Sequence, residues 1–287
     1  YSETNVRQEG VDEGDTAKTD GTYLYVLKDK SDQIAIIDTR DNRMKQTATI
    51  TVEDVSEIQE MYLDIERNQL IAVCDGYVGG KWNDDDYGYG QKVNTTAVTY
   101  DISDRADPKE VGRVSQSGYY NSSRIADGYL YLFSDYYVTL DGITAKNPKS
   151  YIPLVNDNLI KETDICLPSI SKADMYSIIT SVSLENPDET AHSKAFLADG
   201  GNLYVSNDNI YFYENVWQYS GKDVTTIRKV SYESGKLTAG AQCKIDGYIN
   251  DSFSIDEYDG YLRVVVTDGD TNSVYVLDQE LKETGSI

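Results

Sequence analysis

Histidine occurs once in these 287 residues, alongside three cysteines, three methionines and four phenylalanines. A single imidazole gives a Ser-His-Asp triad or a His-rich metal site almost nothing to build on. Cys74, Cys166 and Cys243 are odd in number and far apart, with no Cys-x-x-Cys or Cys/His spacing, which argues against a disulfide framework and a zinc site. Cys74 ends the apolar run LIAVC and reads as a small buried hydrophobe. No stretch approaches the roughly 18 to 20 apolar residues of a membrane helix, so no membrane insertion by this chain is expected. No charged-then-apolar leader opens it either, and any export signal is expected to lie outside these residues. Basic residues are also scarce, 26 against 49 acids, for a net charge of −23. Such a surface repels phosphate backbones and anionic headgroups, so nucleic acid is excluded as a partner. The same charge suits a soluble extracellular protein.

Tyrosine is abundant, at 25 residues. It suits half-buried pleated surfaces, where the ring packs and the hydroxyl finds water or a partner. No window sustains the i, i+3, i+4, i+7 pattern of a helix. Instead, Gly247 to Asp278 reads as one up-and-down unit: a short strand, the Asp259-Gly260 turn, a long apolar strand, a turn over Asp268 to Asn272, and a third strand. Four degraded copies lie upstream, with first turns at Asp20, Asn68, Asp127 and Asp208. The second strand of each copy is apolar at successive positions (LYVL, LIAVC, YLYLF, IYFY, LRVVV), which predicts a strand covered on both faces. A two-layer sandwich would leave one face wet and demand alternation. Units of four short strands recurring about every 50 residues, with inserts, are the pattern of propeller blades.

The fold class is therefore all-β, a β-propeller of about five four-stranded antiparallel blades. The blades are expected near residues 16–57, 58–118, 119–199, 200–246 and 247–287, with residues 1–15 as an extended lead-in and inserts in the second and third units.

Several stretches carry a family likeness. TNVRQEGVDEGDTAKTDGTYLYVL (Thr4 to Leu27), SKAFLADGGNLYVSNDNIYF (Ser193 to Phe212) and GYINDSFSIDEYDGYLRVVVTDG (Gly247 to Gly269) resemble a bacterial secreted β-propeller family distantly related to WD40 repeats. TYDISDRADPKEVG (Thr99 to Gly112) resembles the Asp-Pro joints of bacterial surface repeat propellers. The resemblance implies an exported or envelope-anchored protein with no known activity. The family domain is longer than this chain, which implies that the five units are part of a larger propeller or a shortened relative.

Candidate sites are few. The insert GYVGGKWNDDDYGYGQ offers Trp82, Asp84, Asp85, Asp86, Tyr87 and Tyr89, a set that would stack on sugar rings or collect a cation. Its plain alternative is a solvated loop whose aromatics cover a blade edge. Asp268, Asp270 and Asn272 place oxygens at alternate positions, as calcium requires. Ser273 and Gln279 stand where an EF-hand loop needs Gly and Glu, so that loop is excluded, and an ordinary hairpin turn is the competing reading. No other cofactor is implied. Asp12, Glu13 and Asp15 would be ligands near the ring centre or solvated acids of the lead-in. His192 sits in a polar joint with no nucleophile nearby. A glycosidase would need two converging carboxylates, but among so many acids (Asp64, Asp135, Asp174, Asp256 and Glu257, for example) sequence does not say which pair meets. The expected role is a binding or scaffold module for a glycan or a protein partner. The rival is a carboxylate-dependent glycoside hydrolase or lyase.

Overall fold

The computed structural model describes residues 6–29, 31–40, 43–77, 93–138, 143–167, 175–198, 201–217 and 223–287. Among the described residues its strands form five sheets, each built on a four-stranded antiparallel meander in chain order, with short insert strands added at the outer edge of the second and third. Blade I comprises Ala17–Thr19, Tyr23–Leu27, Gln33–Asp38 and Lys45–Thr51, and blade II Glu57–Asp64, Gln69–Tyr77, Val93–Asp101 and Lys109–Ser117. Blade III comprises Tyr119–Ala126, Tyr129–Tyr137, Met175–Ser183 and Thr190–Ala198, and blade IV Asn202–Val205, Asn209–Trp217, Asp223–Glu233 and Lys236–Asp246. Blade V comprises Ile255–Tyr258, Tyr261–Asp268, Thr271–Leu277 and Glu283–Ser286.

The apolar second strands are the reason the sheets stack. Successive side chains on a strand point to opposite faces, so a strand apolar at every position presents two apolar faces. In blade II, Leu70, Ala72 and Cys74 pack toward blade I, while Ile71 and Val73 pack toward blade III. In blade III, Leu130 and Leu132 meet blade II, and Tyr131 and Phe133 meet blade IV. In blade IV, Ile210 and Phe212 face back and Tyr211 and Tyr213 face forward. Four apolar clusters thus join I to II, II to III, III to IV and IV to V. Blade V departs from the two-sided pattern that LRVVV predicts. Leu262, Val264 and Val266 are buried against blade IV, but Tyr261, Arg263 and Val265 are exposed.

The turn between the third and fourth strands leans each blade on its predecessor. Arg105 of blade II donates to Asp20, Tyr25 and Asn68, at 3.2, 3.2 and 2.9 Å. Glu185 of blade III reaches Arg67 at 3.8 Å. In blade IV, Ser234 N donates to Asp127 at 2.8 Å. Lys229 of blade IV donates to the Gln279 carbonyl of blade V at 3.2 Å. The pairing of third and fourth strands also slips by one residue in all five blades, and such bulges add local twist.

The joints between blades use a repeated clasp. Gly118 and Gly247 both adopt positive φ, +102° and +95°. Two residues on, Tyr120 N donates to Asp75 (2.8 Å) and Ile249 N to Asn215 (3.1 Å), the seventh residues of the second strands of blades II and IV. Thr95 and Thr225, opposite those residues, donate to the Gly118 and Gly247 carbonyls at 2.9 and 2.7 Å.

The insert of blade III runs to the outer rim. Leu154–Val155 and Asn158–Leu159 form a hairpin whose Val155 pairs with Gln116 on the last strand of blade II. Ile165–Cys166 then adds in parallel to the last strand of blade III. At the inner side the lead-in bridges through Asp12 to Ile125 and through Asp15 to Met61, before forming the first strand of blade I. Arg7 donates to the Ile255 carbonyl of blade V and stacks 4.6 Å from the Tyr204 ring centroid of blade IV.

Gly118→Ala tests the clasp. Its Cβ would sit 2.6 Å from the Asp135 carbonyl oxygen at a positive φ, while at Gly269, also at positive φ, nothing lies within 4 Å. Urea unfolding is expected to show a loss of roughly 2–4 kcal/mol for Gly118→Ala and about 1 kcal/mol for Gly269→Ala.

Candidate functional site

Two regions gather polar and aromatic groups. The first lies at the ends of the second strands of blades II and III, where the inserts leave the sheets. Tyr77 closes the blade II strand, and the Trp82-bearing insert departs immediately after it. Across the joint stand Tyr119 and Tyr137, 43% and 59% exposed, with ring centroids 6.4 Å apart in an edge-to-face pair. Such pairs are normally buried, and exposed phenols offer a ready stacking surface. Trp82, Asp84, Asp85, Asp86, Tyr87 and Tyr89 themselves lie outside the described residues, as does Asp174.

Behind the aromatic pair sit two carboxylates. Asp75 accepts from Tyr120 N and from Gln59 Nε2 at 3.2 Å. Asp135 accepts from Asn121 Nδ2 at 2.7 Å and Ser177 Oγ at 3.0 Å. Further along the inner strands, Glu60 accepts from the Ser123 hydroxyl and from Tyr62 OH at 3.2 Å. Burial pushes all three carboxyls above their ordinary range, and the hydrogen bonds only partly offset it. Both oxygens of Asp75 and of Asp135 are already hydrogen-bonded to protein groups, with the Tyr120 N–Asp75 bond crossing the joint and the others closing within a blade, and the lead-in backbone at Gly14 lies against Glu60.

The second region is a cleft of about 1120 Å³ between blades IV and V, at the end opposite the inserts. It runs from Gln8 on the lead-in to Thr238–Ala241 on the outer strand of blade IV. Glu257 lies in it, but its carboxylate is engaged by Asn209 Nδ2 (2.8 and 3.0 Å) and the Ser206 hydroxyl (2.5 Å). None of the three carboxyls with a raised pKa lines this cleft.

The remaining expected sites resolve as follows. Asp268 pairs with Thr271 across a tight turn, and the Asn272 side-chain oxygen Oδ1 accepts from Thr267 Oγ1 at 2.8 Å. Among the described residues no cluster of three or more His, Cys, Asp or Glu has metal-binding geometry. Asp12 accepts from Lys18 at 3.4 Å, and Glu13 pairs with Arg124 at 3.3 Å. His192 is half-buried rather than loose in a joint. Its Nδ1 accepts from Leu237 N at 2.9 Å, which leaves Nε2 to face Asp164 at 3.2 Å. Burial raises the Asp164 pKa, but Lys194 and His192 outweigh it and hold the carboxyl below its usual range. The imidazole therefore ties blade III to blade IV and to the insert. Sequence reading missed the Tyr119/Tyr137 pair. The recurrence of Gly-Tyr-x-Asn at 118–121 and 247–250 was the available signal.

The Beta propeller domain family model matches residues 1–287, and the chain belongs to that family. An uncharacterised protein of Methanocaldococcus jannaschii is 24% identical over all of this chain and 54% of its own length. One from Archaeoglobus fulgidus is 34% identical over 33% of this chain and 15% of its own length. The chain thus spans about half the length of the first relative. Among solved structures, Kuenenia stuttgartiensis hydrazine synthase aligns over 91% of this chain and 62% of its own, at 13% identity and a TM-score of 0.43. The WD40 domain of Toxoplasma gondii coronin aligns over 91% and 54%, at 8% and 0.39.

A raised carboxyl gives a pH signature. Between the ordinary pKa and the raised one, the folded chain holds a proton that the unfolded chain has released, so stability falls as pH rises through that interval. Glu60→Gln removes the titration. Urea melts across pH should show the variant gaining on the wild type as pH climbs above about 4. A gap that stays constant would mean that Glu60 is not desolvated.

Proposed function

We propose that this propeller domain is an exported, extracellular or envelope-associated binding and scaffold module, and that its ligand is a glycan or a protein segment. The exposed Tyr119–Tyr137 pair at the root of the Trp82 insert carries this reading. Rigid aromatic faces on a stiff sheet end give stacking area at little entropic cost, and loops that project from a scaffold carry recognition. In this reading Trp82, Tyr87 and Tyr89 extend the stacking surface, and Asp84, Asp85 and Asp86 accept hydrogen bonds from hydroxyls or amides. Export rests on the sequence resemblance and the acidic composition. Asp268, Asp270 and Asn272 serve as a hairpin turn in this account, because the Asn272 oxygen is already committed to Thr267.

The rival reading, a glycoside hydrolase or lyase, draws on the raised pKa values of Asp75 and Asp135. Catalysis would require those carboxyls to face substrate, whereas each spends both oxygens on the scaffold.

Thermal-shift screening against a panel of neutral and amino-sugar oligosaccharides, with calcium and EDTA arms, tests the proposal, because any ligand preferring the folded state raises the melting temperature. At least one oligosaccharide is expected to raise it, with the shift lost in Trp82→Ala and in Tyr137→Ala. Calcium and EDTA should give the same melting temperature. A ligand whose shift survives both substitutions would remove this surface. Cleavage of that ligand, abolished by Asp75→Asn or Asp135→Asn, would establish the enzyme instead.

A further inference from the structure

The chain contains three Asn-x-Ser/Thr triplets with a residue other than proline in the middle: Asn94-Thr95-Thr96, Asn121-Ser122-Ser123 and Asn250-Asp251-Ser252. On a surface loop of an exported protein, such a triplet is an acceptor for N-linked sugar. Transfer needs a free amide on the Asn, a free hydroxyl two residues on, and a backbone that is not bound into a ladder. Two of the three fail these conditions. Asn94 is paired on both sides, with Gly76 and Ser117, and Thr96 is buried with its hydroxyl 3.1 Å from Ser115 Oγ. Asn121 donates its amide to Asp135 at 2.7 Å and to the Gly201 carbonyl at 3.2 Å, and the Ser123 hydroxyl is buried against Tyr62 and Glu60.

Asn250 ends the second copy of Gly-Tyr-x-Asn and so occupies the same repeat position as Asn121, but without that clasp. The seventh residue of the second strand is Asp135 in blade III and Thr267 in blade V, whose hydroxyl donates to Asn272 instead. Tyr248 is bridged to Thr267 by two backbone bonds of 2.9 and 3.0 Å, and Ile249 is buried with its N–H and carbonyl both held by the Asn215 side chain. Asn250, the next residue, is exposed and belongs to no strand. Neither its amide nor the Ser252 hydroxyl has a partner among the described residues. Asp251 between them is occupied in capping a single 3-10 turn, where it accepts from Phe253 N at 2.8 Å. A neighbouring blade does not close this repeat position, since Asn121 stays half-buried with blade IV stacked beside it.

We propose that Asn250 is an N-glycosylation site, recognised through the Asn250–Ser252 triplet. This rests on the export proposed above, because the sugar donor is a polyprenyl-phosphate-linked oligosaccharide presented on the outer side of the membrane. In the transfer, Asn250 Nδ2 bonds to C1 of the first sugar while the bond from C1 to the donor's phosphate oxygen breaks. The lipid phosphate leaves with that electron pair, the amide gives up one proton, and nothing is oxidised or reduced. The Ser252 hydroxyl orients the acceptor amide in the transferase. The attached sugar then projects from the joint between blades IV and V, rooted on the backbone that Asn215 holds at Ile249.

Peptide mass mapping of the full-length protein isolated from its own cells, with cell fractionation in parallel, tests this. The peptide containing Asn250 is expected to be heavier by a series of sugar-residue masses, and fragmentation should place them on Asn250. Peptides containing Asn94 and Asn121 should be bare. Asn250→Gln and Ser252→Ala, produced in the same cells, should each lose the added mass, whereas Ser252→Thr should keep it. Both altered side chains lie on an exposed joint, so the variants should fold, and circular dichroism checks that they do. A bare Asn250 in protein recovered from the envelope or the medium overturns the proposal and leaves export standing. A bare Asn250 in protein recovered only from the cytoplasm overturns both. Added mass that survives Ser252→Ala also overturns the proposal, since the triplet would then not be what is read.

Discussion

Double-sided burial of the second strands is the constraint on which everything else here depends. A strand with apolar residues at consecutive positions cannot satisfy both faces in a two-layer protein, so it recruits a sheet on each side. Each buried Leu, Ile or Val contributes roughly 1.5–3 kcal/mol, and the four interfaces each bury about a dozen apolar side chains. The directional contacts are smaller in energy but decide the geometry. The Arg105–Asp20–Tyr25–Asn68 knot and the Ser234–Asp127 bond fix how far one sheet is rotated on the next. The outer-strand bulges supply the twist that lets flat faces become radial ones.

Much of this was legible in the sequence because its signals are local. Asp-Gly and Asn turns, and the runs LIAVC, YLYLF and IYFY, are read within a few residues, and they give the five units and their strand order. What escaped reading depends on contacts distant in sequence. Nothing local says that Asp75 will clasp Tyr120, that Val155 will pair with Gln116, or that Asp12 will bridge to Ile125. LRVVV shows the limit in the other direction. It carries the same apolar run as its counterparts, yet Val265 stays exposed, because composition reports what a face can bury and not whether a partner stands beside it.

The same distinction separates the buried acids from a catalytic pair. Sequence alone made every carboxylate equivalent, and the structure singles out Glu60, Asp75 and Asp135 as desolvated. Desolvation alone does not make a catalyst. Asp75 and Asp135 occupy the same repeat position as Asn215, and all three bind the hydroxyl-bearing strand or the next blade's entry. A position filled by Asp in two blades and Asn in a third needs an acceptor rather than a charge. That makes the raised pKa values a by-product of joint architecture. The Tyr119–Tyr137 pair is exposed rather than buried in the joint, which is why the proposed recognition surface starts from it.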